Sequence, residues 1–369
     1  MRVLFVNGRD DAGILPGGDT VQFEKTRIEL ENCGVEIFVR KPNELDHLPV
    51  CDLVHVFNIQ TPQCTWSVFQ AIQKKGIPIV LSPIYWDMYA YWFEAAHSDI
   101  RAWKTLSSLI GKKKARQVYI SWQRKKSPRD PEWLVQKKLL QEANRVLPNS
   151  ASEATHLRQT FLLDAQFSNK IDIVPNAIDT SLFDTPQLSG MKSNMDLGFN
   201  DFVLEVGTIN PVKNQRGLIK AMFDSAYPIV LIGQIPSAFR EYGEACKQLG
   251  ARRGNVLFVE HLPHAELPAI YHSALVHALP SWRETPGLVS LEAAASGCKV
   301  VSTSIGSARD YFGDLATYCY PDDLDSIRSA VDRAVQSTAS NELRQHVISH
   351  YTWEKAAQAT LAAYHKALS

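Results

Sequence analysis

Apolar residues along this chain fall into short unbroken runs, set between longer segments with helical spacing. Val3-Leu4-Phe5-Val6 is the first run, and Thr20 to Cys33 is the first helical segment. Gly34 closes that segment before a second run over Val35-Glu36-Ile37-Phe38-Val39. Short continuous apolar runs suit strands buried on both faces of a parallel sheet. Strand, glycine-rich loop (Gly8, Gly13, Gly17, Gly18), helix and strand make a βαβ unit, with a right-handed crossover expected. The alternation continues with strands at Asp52–Phe57, Ile77–Leu81 and Arg145–Ser150, and helices at Gln63–Lys75 and Ser152–Leu163.

A second βα series begins at Phe202-Val203-Leu204-Glu205-Val206-Gly207. It runs through strands at Ile229–Ile232, Val256–Val259, Leu275–Leu279, Lys299–Ser302 and Leu315–Tyr320, and a helix from Asp323 to about Ser337. The polar stretch from Thr180 to Asn200, with Pro186, Gly190 and Gly198, reads as a linker. At 369 residues the chain is long enough for two domains of ordinary size.

Composition adds little until it is resolved along the chain. Hydrophobic content of 45% with 21% charged residues is normal for a soluble globular protein, and the net charge is zero. The six cysteines show no C-x-x-C spacing, which suits reduced thiols. No apolar run reaches the ~18 residues of a membrane-spanning helix. MRVLFVNGRD reads as a strand and not as a signal peptide, so a cytoplasmic location is expected. The outlier is 101–138, which holds twelve Lys or Arg against only Asp130 and Glu132, interleaved with Trp103, Trp122 and Trp133. Such a segment suits peripheral contact with an anionic membrane at its inner face, or a solvated helical hairpin covering the first sheet; both readings stay open. No nucleic-acid motif accompanies the charge, so no nucleic acid is expected as a partner. Asp323-Leu324-Asp325 reads as a helix cap. Neither a metal nor a cofactor is assigned.

The stretch with most chemistry is Ala278 to Thr303, ALPSWRETPGLVSLEAAASGCKVVST. Pro286 and Gly287 open a helix that Gly297 closes, the usual asymmetry of helix ends. Glu284 and Glu292 bracket the helix start in the spacing E-x7-E, at most roughly 12 Å apart if all helical. Backbone N–H groups around Gly287 and Leu288 lie between them and suit an anion such as a diphosphate. One carboxylate could then accept from sugar hydroxyls and the other from ribose hydroxyls, although a capped helix with two surface glutamates has the same spacing.

The residues Pro280-Ser281, Glu284, Gly287-Leu288-Val289, Leu291-Glu292-Ala293, Ala295, Gly297 and Val300-Val301 together resemble the retaining group 1 glycosyltransferases of GT-B fold. The resemblance implies two Rossmann-like, doubly wound α/β domains facing across a cleft. The first is 1–178, an acceptor domain completed by a C-terminal helix within 351–369 that crosses back to it. The second is 179–350, a nucleotide-sugar donor domain. It also implies that Glu284 holds the transferred sugar, Glu292 the ribose, and Lys213 with the Gly287–Leu288 amides the diphosphate, with Pro286 and Val289 beside them. Gly17 and Gly18 occupy the place of a Gly-Gly pair that faces donor phosphates and acceptor, or form a plain turn. The family often has a histidine contacting sugar or acceptor where this chain has Tyr85, Trp86 and Asp87; these either meet the acceptor or pack in the core. Loops at Gln234 and Glu260-His261-Leu262-Pro263 match the places that hold the base. The implied reaction is metal-independent, retaining hexosyl transfer from a nucleotide-diphosphate sugar to a glycan or lipid-linked hydroxyl acceptor. A nucleotide-sugar epimerase of related fold and a non-catalytic nucleotide-sugar-binding protein are the alternatives.

Overall fold

The computed structural model describes residues 1–9, 17–183, 201–338 and 340–369. Gly13 and the linker positions Pro186, Gly190 and Gly198 lie outside the described residues. The chain forms two compact units, one comprising Met1–Asn176 with Trp353–Ser369 and the other Ala177–Thr352.

In the first unit, β1 (Arg2–Asn7), β2 (Glu36–Arg40), β3 (Leu53–Phe57), β4 (Ile79–Ser82) and β5 (Arg145–Val146) form one sheet in the order β2-β1-β3-β4-β5. Every pairing is parallel. All five positions of β3 are buried, as a central strand covered on both faces requires. The covering helices show the matching period. In α1 (Gly18–Asn32) the buried positions are Gln22, Phe23, Thr26 and Leu30, and in α2 (Pro62–Gln73) they include Thr65, Val68, Phe69 and Ile72.

Between β4 and β5 lie α3 (Tyr89–Asp99), α4 (Arg101–Ile110), α5 (Lys112–Lys126) and α6 (Pro131–Glu142). The basic segment therefore divides in two. Trp133, Leu139 and Leu140 of α6 are buried in the core of the sheet, whereas α4 has no buried residue at all. A small separate cluster of Phe93, Ala115 and Tyr119, with Trp103 and Leu106 packed against it, holds α3, α4 and α5 together. After β5 come α7 (Ala151–Thr160) and the one-turn α8 (Thr180–Phe183).

The second sheet contains β6 (Val203–Val206), β7 (Ile229–Ile232), β8 (Val256–Val259), β9 (Val276–Leu279), β10 (Val300–Thr303) and β11 (Thr317–Cys319). Their order is β11-β10-β9-β6-β7-β8, again with all pairings parallel. Helices α9 (Gln215–Ala221), α10 (Arg240–Arg253), α11 (Leu267–Ser273), α12 (Leu288–Ala295), α13 (Ala308–Phe312), α14 (Leu324–Gln336) and α15 (Glu342–His350) connect and follow them. Asp323 caps α14, its carboxylate accepting from Ser326 N at 3.0 Å, so the D-x-D sequence is a helix start. The last helix, α16 (Trp353–Leu368), turns Ala356, Ala357, Thr360, Ala363 and Tyr364 inward within the first unit. His55 of β3 bonds Tyr364 Oη at 2.7 Å through Nδ1 and Ser82 Oγ at 2.9 Å through Nε2, tying two strands to that helix. No described helix is long and apolar enough to cross a membrane.

Candidate functional site

Strand order says where to look. In each sheet one place exists where neighbouring strands leave in opposite directions, and ligands bind there, beyond the carboxyl ends of the strands. In the second unit that place is between β6 and β9. The loops that follow these strands carry Lys213 and Glu284, and the structure joins them: Lys213 Nζ lies 2.7 Å from Glu284 Oε1. The two loops are also tied through backbone, Trp282 N donating to Val212 O at 2.8 Å. Asn210 Oδ1 accepts from Val212 N at 2.9 Å and Lys213 N at 3.1 Å, shaping the turn that presents the lysine. Asn214, in the left-handed region, reaches the carbonyls of Pro280 and Pro321 at 3.1 and 2.9 Å.

Glu284 is held with unusual strictness. Its N–H donates to Ile305 O at 3.2 Å, and its carbonyl accepts from Ser307 N at 2.8 Å. Gly306 lies against it with φ +118°, where a Cβ would stand 2.0 Å from Glu284 O. Only glycine fits that position. The side chain is 6% exposed, enough for one face to meet a ligand. Gly287 precedes α12 at φ +85°, and a Cβ there would stand 3.1 Å from Glu284 Oε2. Its carbonyl accepts from Ser290 N and Leu291 N at 2.9 and 3.2 Å. The N–H groups of Leu288 and Val289 are those that the helix start leaves for an outside acceptor. Pro286 has no N–H to give, and its part is shape alone.

Glu292 belongs to a different network. Its Oε2 accepts from Tyr271 Oη at 3.3 Å and its Oε1 lies 3.1 Å from His264 Nε2. Burial and the neighbouring Glu292 charge push the Tyr271 hydroxyl well above its ordinary pKa, so it stays a donor. The two glutamates thus point into separate polar surroundings. His264 and Tyr271 were not singled out by sequence reasoning, which stopped at the Glu260-His261-Leu262-Pro263 loop just before them; only the shared neighbourhood of Glu292 reveals them.

Glu205 was also missed. It sits on β6 in an otherwise apolar strand, 1% exposed, with neither carboxylate oxygen hydrogen-bonded. Burial raises its carboxyl well above the usual range, with Lys213 pulling it down and Glu284 pushing it up. A glutamate interrupting FVLEVG was the available signal.

In the first unit the corresponding place is between β1 and β3. Gly17 caps α1 with ordinary extended backbone, and Gly18 is the first helical residue. Beside them Asp19 Oδ2 accepts from Arg9 Nη1 at 2.9 Å and Asn58 Nδ2 at 3.1 Å, and Gln22 Nε2 donates to Asn149 Oδ1 at 3.0 Å.

Tyr85, Trp86 and Asp87 follow β4. Tyr85 is buried in the core against Phe161, so its ring packs inward. Trp86 is partly exposed and stacks on His156 of α7, centroids 4.1 Å apart and planes 3° from parallel. Asp87 Oδ2 lies 3.2 Å from His156 Nε2 and 3.6 Å from Arg124 Nη2 of α5. Burial opposes ionisation of Asp87, but His156, the Tyr89 N–H and Arg124 together hold its pKa below the usual carboxylate value. A histidine absent from this segment in sequence is therefore supplied beside it by another helix. Glu153, one turn earlier on α7, accepts from Tyr85 N at 2.7 Å and Asn149 N at 2.6 Å, and burial raises its pKa to about 7.

Two parallel α/β units, the second with an acid–base pair at its strand-order reversal, define the class: the fold is that of GT-B glycosyltransferases. The structure is similar to sucrose-phosphate synthase from Thermosynechococcus elongatus, at a TM-score of 0.74 and 18% identity over 99% of each chain. It is similar also to Anabaena HepE in complex with UDP, at 0.69 and 16% over 99% of this chain and 100% of that one. Residues 198–351 match the family described as glycosyl transferases group 1. Among curated relatives, the D-inositol 3-phosphate glycosyltransferase of Segniliparus rotundus is 29% identical over 62% of this chain and 54% of its own length. The chain spans about half the length of the curated relatives it matches.

Proposed function

We propose that this protein transfers a glycosyl group from a nucleotide-diphosphate sugar to a hydroxyl acceptor, with retention at the anomeric carbon and without a metal. The observation that carries the reading is the Lys213–Glu284 pair at the mouth of α12, with Glu292 engaged apart from it. A donor entering there offers its own partners to each group. Its diphosphate takes Lys213 and the Leu288 and Val289 amides, sugar hydroxyls take Glu284, and ribose hydroxyls take Glu292. The bond from the anomeric carbon to the phosphate oxygen breaks, and its electron pair leaves with the nucleoside diphosphate. Charge growing on that oxygen is met by the lysine and helix amides, fixed before reaction begins. The acceptor oxygen bonds to the anomeric carbon on the face just vacated, and its proton passes to the departing phosphate. Two carboxylates acting as nucleophile and acid would need to lie ~5 Å apart in one pocket, and the separate surroundings of Glu284 and Glu292 favour roles in holding the donor.

The acceptor is a glycan or a lipid-linked glycan precursor, met by the first unit near Gly17, Gly18, Trp86 and Asp87. UDP-sugars are the first donors to try, because HepE has been seen with UDP and with UDP-glucose. Incubation with donor and a panel of acceptors, in EDTA, tests the reading, with the anomeric configuration of the product read by NMR. Donor consumption without any glycosylated product, or a product of inverted configuration, would overturn it.

A further inference from the structure

The basic hairpin of the first unit presents a surface that is both basic and apolar. Between Arg101 and Lys126 there are nine Lys or Arg and no acidic residue. On the outer side of α4 and α5, Leu109, Ile110, Val118 and Trp122 line an open groove of about 730 Å³, with Lys114 and Lys125 at its rim. These apolar side chains are exposed, Leu109 to 76% and Trp122 to 40%. Their neighbours Trp103 and Leu106 pack into the small Phe93–Ala115–Tyr119 cluster, and the Trp122 ring bridges groove and cluster, 5.9 Å from the rings of Trp103 and Tyr119. A ten-residue helix with no buried position gains little from its own hydrogen bonds in water and is held mainly by packing on one side.

We propose that the outer face of α4 and α5 docks on an anionic phospholipid bilayer. The inference extends the acceptor half of the proposed function but concerns binding, not transfer. Charge selects the occupant. A second copy would bring the same positive face, and a nucleic acid would leave the apolar groove unfilled. An anionic bilayer meets both features: headgroups face the lysines, and the groove lies at the depth where acyl chains begin. Trp122 is amphipathic in the manner of interfacial aromatics, with Lys126 Nζ 3.7 Å from its ring centroid. Lysine stems can lie along apolar surface while their ammonium groups stay in the headgroup layer. The inner end of the hairpin reaches the acceptor segment, because Arg124 faces Asp87 and Ser127 Oγ bonds Tyr89 Oη. Docking would therefore bring a membrane-borne acceptor to the Trp86–Asp87 side of the unit.

The test is co-sedimentation of the full chain with vesicles of phosphatidylcholine, alone or mixed with phosphatidylglycerol, in low and high salt. Partitioning onto the mixed vesicles should exceed that onto phosphatidylcholine by at least about tenfold and fall with salt. Lys114→Glu with Lys125→Glu should lower it by on the order of tenfold or more. Leu109→Glu with Trp122→Glu should abolish it at any salt. The two lysine changes should leave the melting curve as it is, Trp122→Glu should lower it slightly because that ring also touches Trp103 and Tyr119, and calorimetric UDP binding should not change in either variant. Those readouts separate failure of docking from failure of the transferase reading. Equal partitioning onto both vesicle types, indifference to all four substitutions, or sedimentation without vesicles that the Leu109 and Trp122 changes suppress would overturn the proposal.

Discussion

Lys213 and Glu284 form the contact on which most depends at the level of single residues. Lys213→Ala would leave a nearly buried carboxylate without its cation, at a cost of about 1–3 kcal/mol in stability. It should weaken nucleotide-sugar binding by roughly ten- to hundredfold, read by calorimetry. Unchanged donor affinity would remove the lysine from the diphosphate site. Gly306→Ala tests the backbone clamp. Its Cβ would enter the Glu284 carbonyl at 2.0 Å and its φ of +118° is closed to alanine, so a loss of about 2 kcal/mol or more is expected. Donor affinity should fall with it, because the displaced residue is Glu284. The E-x7-E spacing brought out the two glutamates, and the resemblance to a family loop the lysine. The sequence could not show Tyr271, His264 or His156, because each meets its partner through tertiary packing and no local pattern records that.

Elements were legible wherever a continuous apolar run or a 3.6-residue period governed them, as in β1, β3, α2 and α14. The basic segment was not, because its composition is uniform while its environment changes: Trp133 is core and Trp122 is exposed. The Asp323 cap gives a clean test at this scale. Asp323→Ala should cost about 1 kcal/mol, seen as a lowered melting temperature, and leave transfer activity intact. Activity that falls and returns with added divalent cation would instead make it a ligand. His55 joins β3, β4 and α16 as a neutral imidazole, its pKa lowered by burial to about 3 from 6.5. Below pH 6.5 the unfolded chain takes up a proton that the folded chain refuses, so stability falls as pH drops from about 6.5 towards 3. The slope from this group is at most ~1.4 kcal/mol per pH unit. His277 adds the same sign in the second unit. Urea unfolding of His55→Gln at a series of acidic pH values should show a shallower loss than the parent chain, and an identical slope would exclude His55 as its source.

Over the whole molecule the division of the chain is uneven in sequence and even in space. The first unit is interrupted after Asn176 and resumes at Trp353, so it is built from two segments with the second unit inserted between them. A chain stopped at Thr352 should keep the thermal transition of the second unit and lose that of the first, as read by scanning calorimetry. Two transitions of undiminished enthalpy would show that α16 is dispensable. The same arrangement has a consequence for biosynthesis. A ribosome delivers residues in order, and the sheet of the first unit lacks α16 until residues 353–368 have been made, after the whole of the second unit. Throughout that interval His55 is without its Tyr364 partner, while the inserted unit is already free to fold. The first unit is begun before the second and completed after it, and its exposure lasts as long as translation of the residues between.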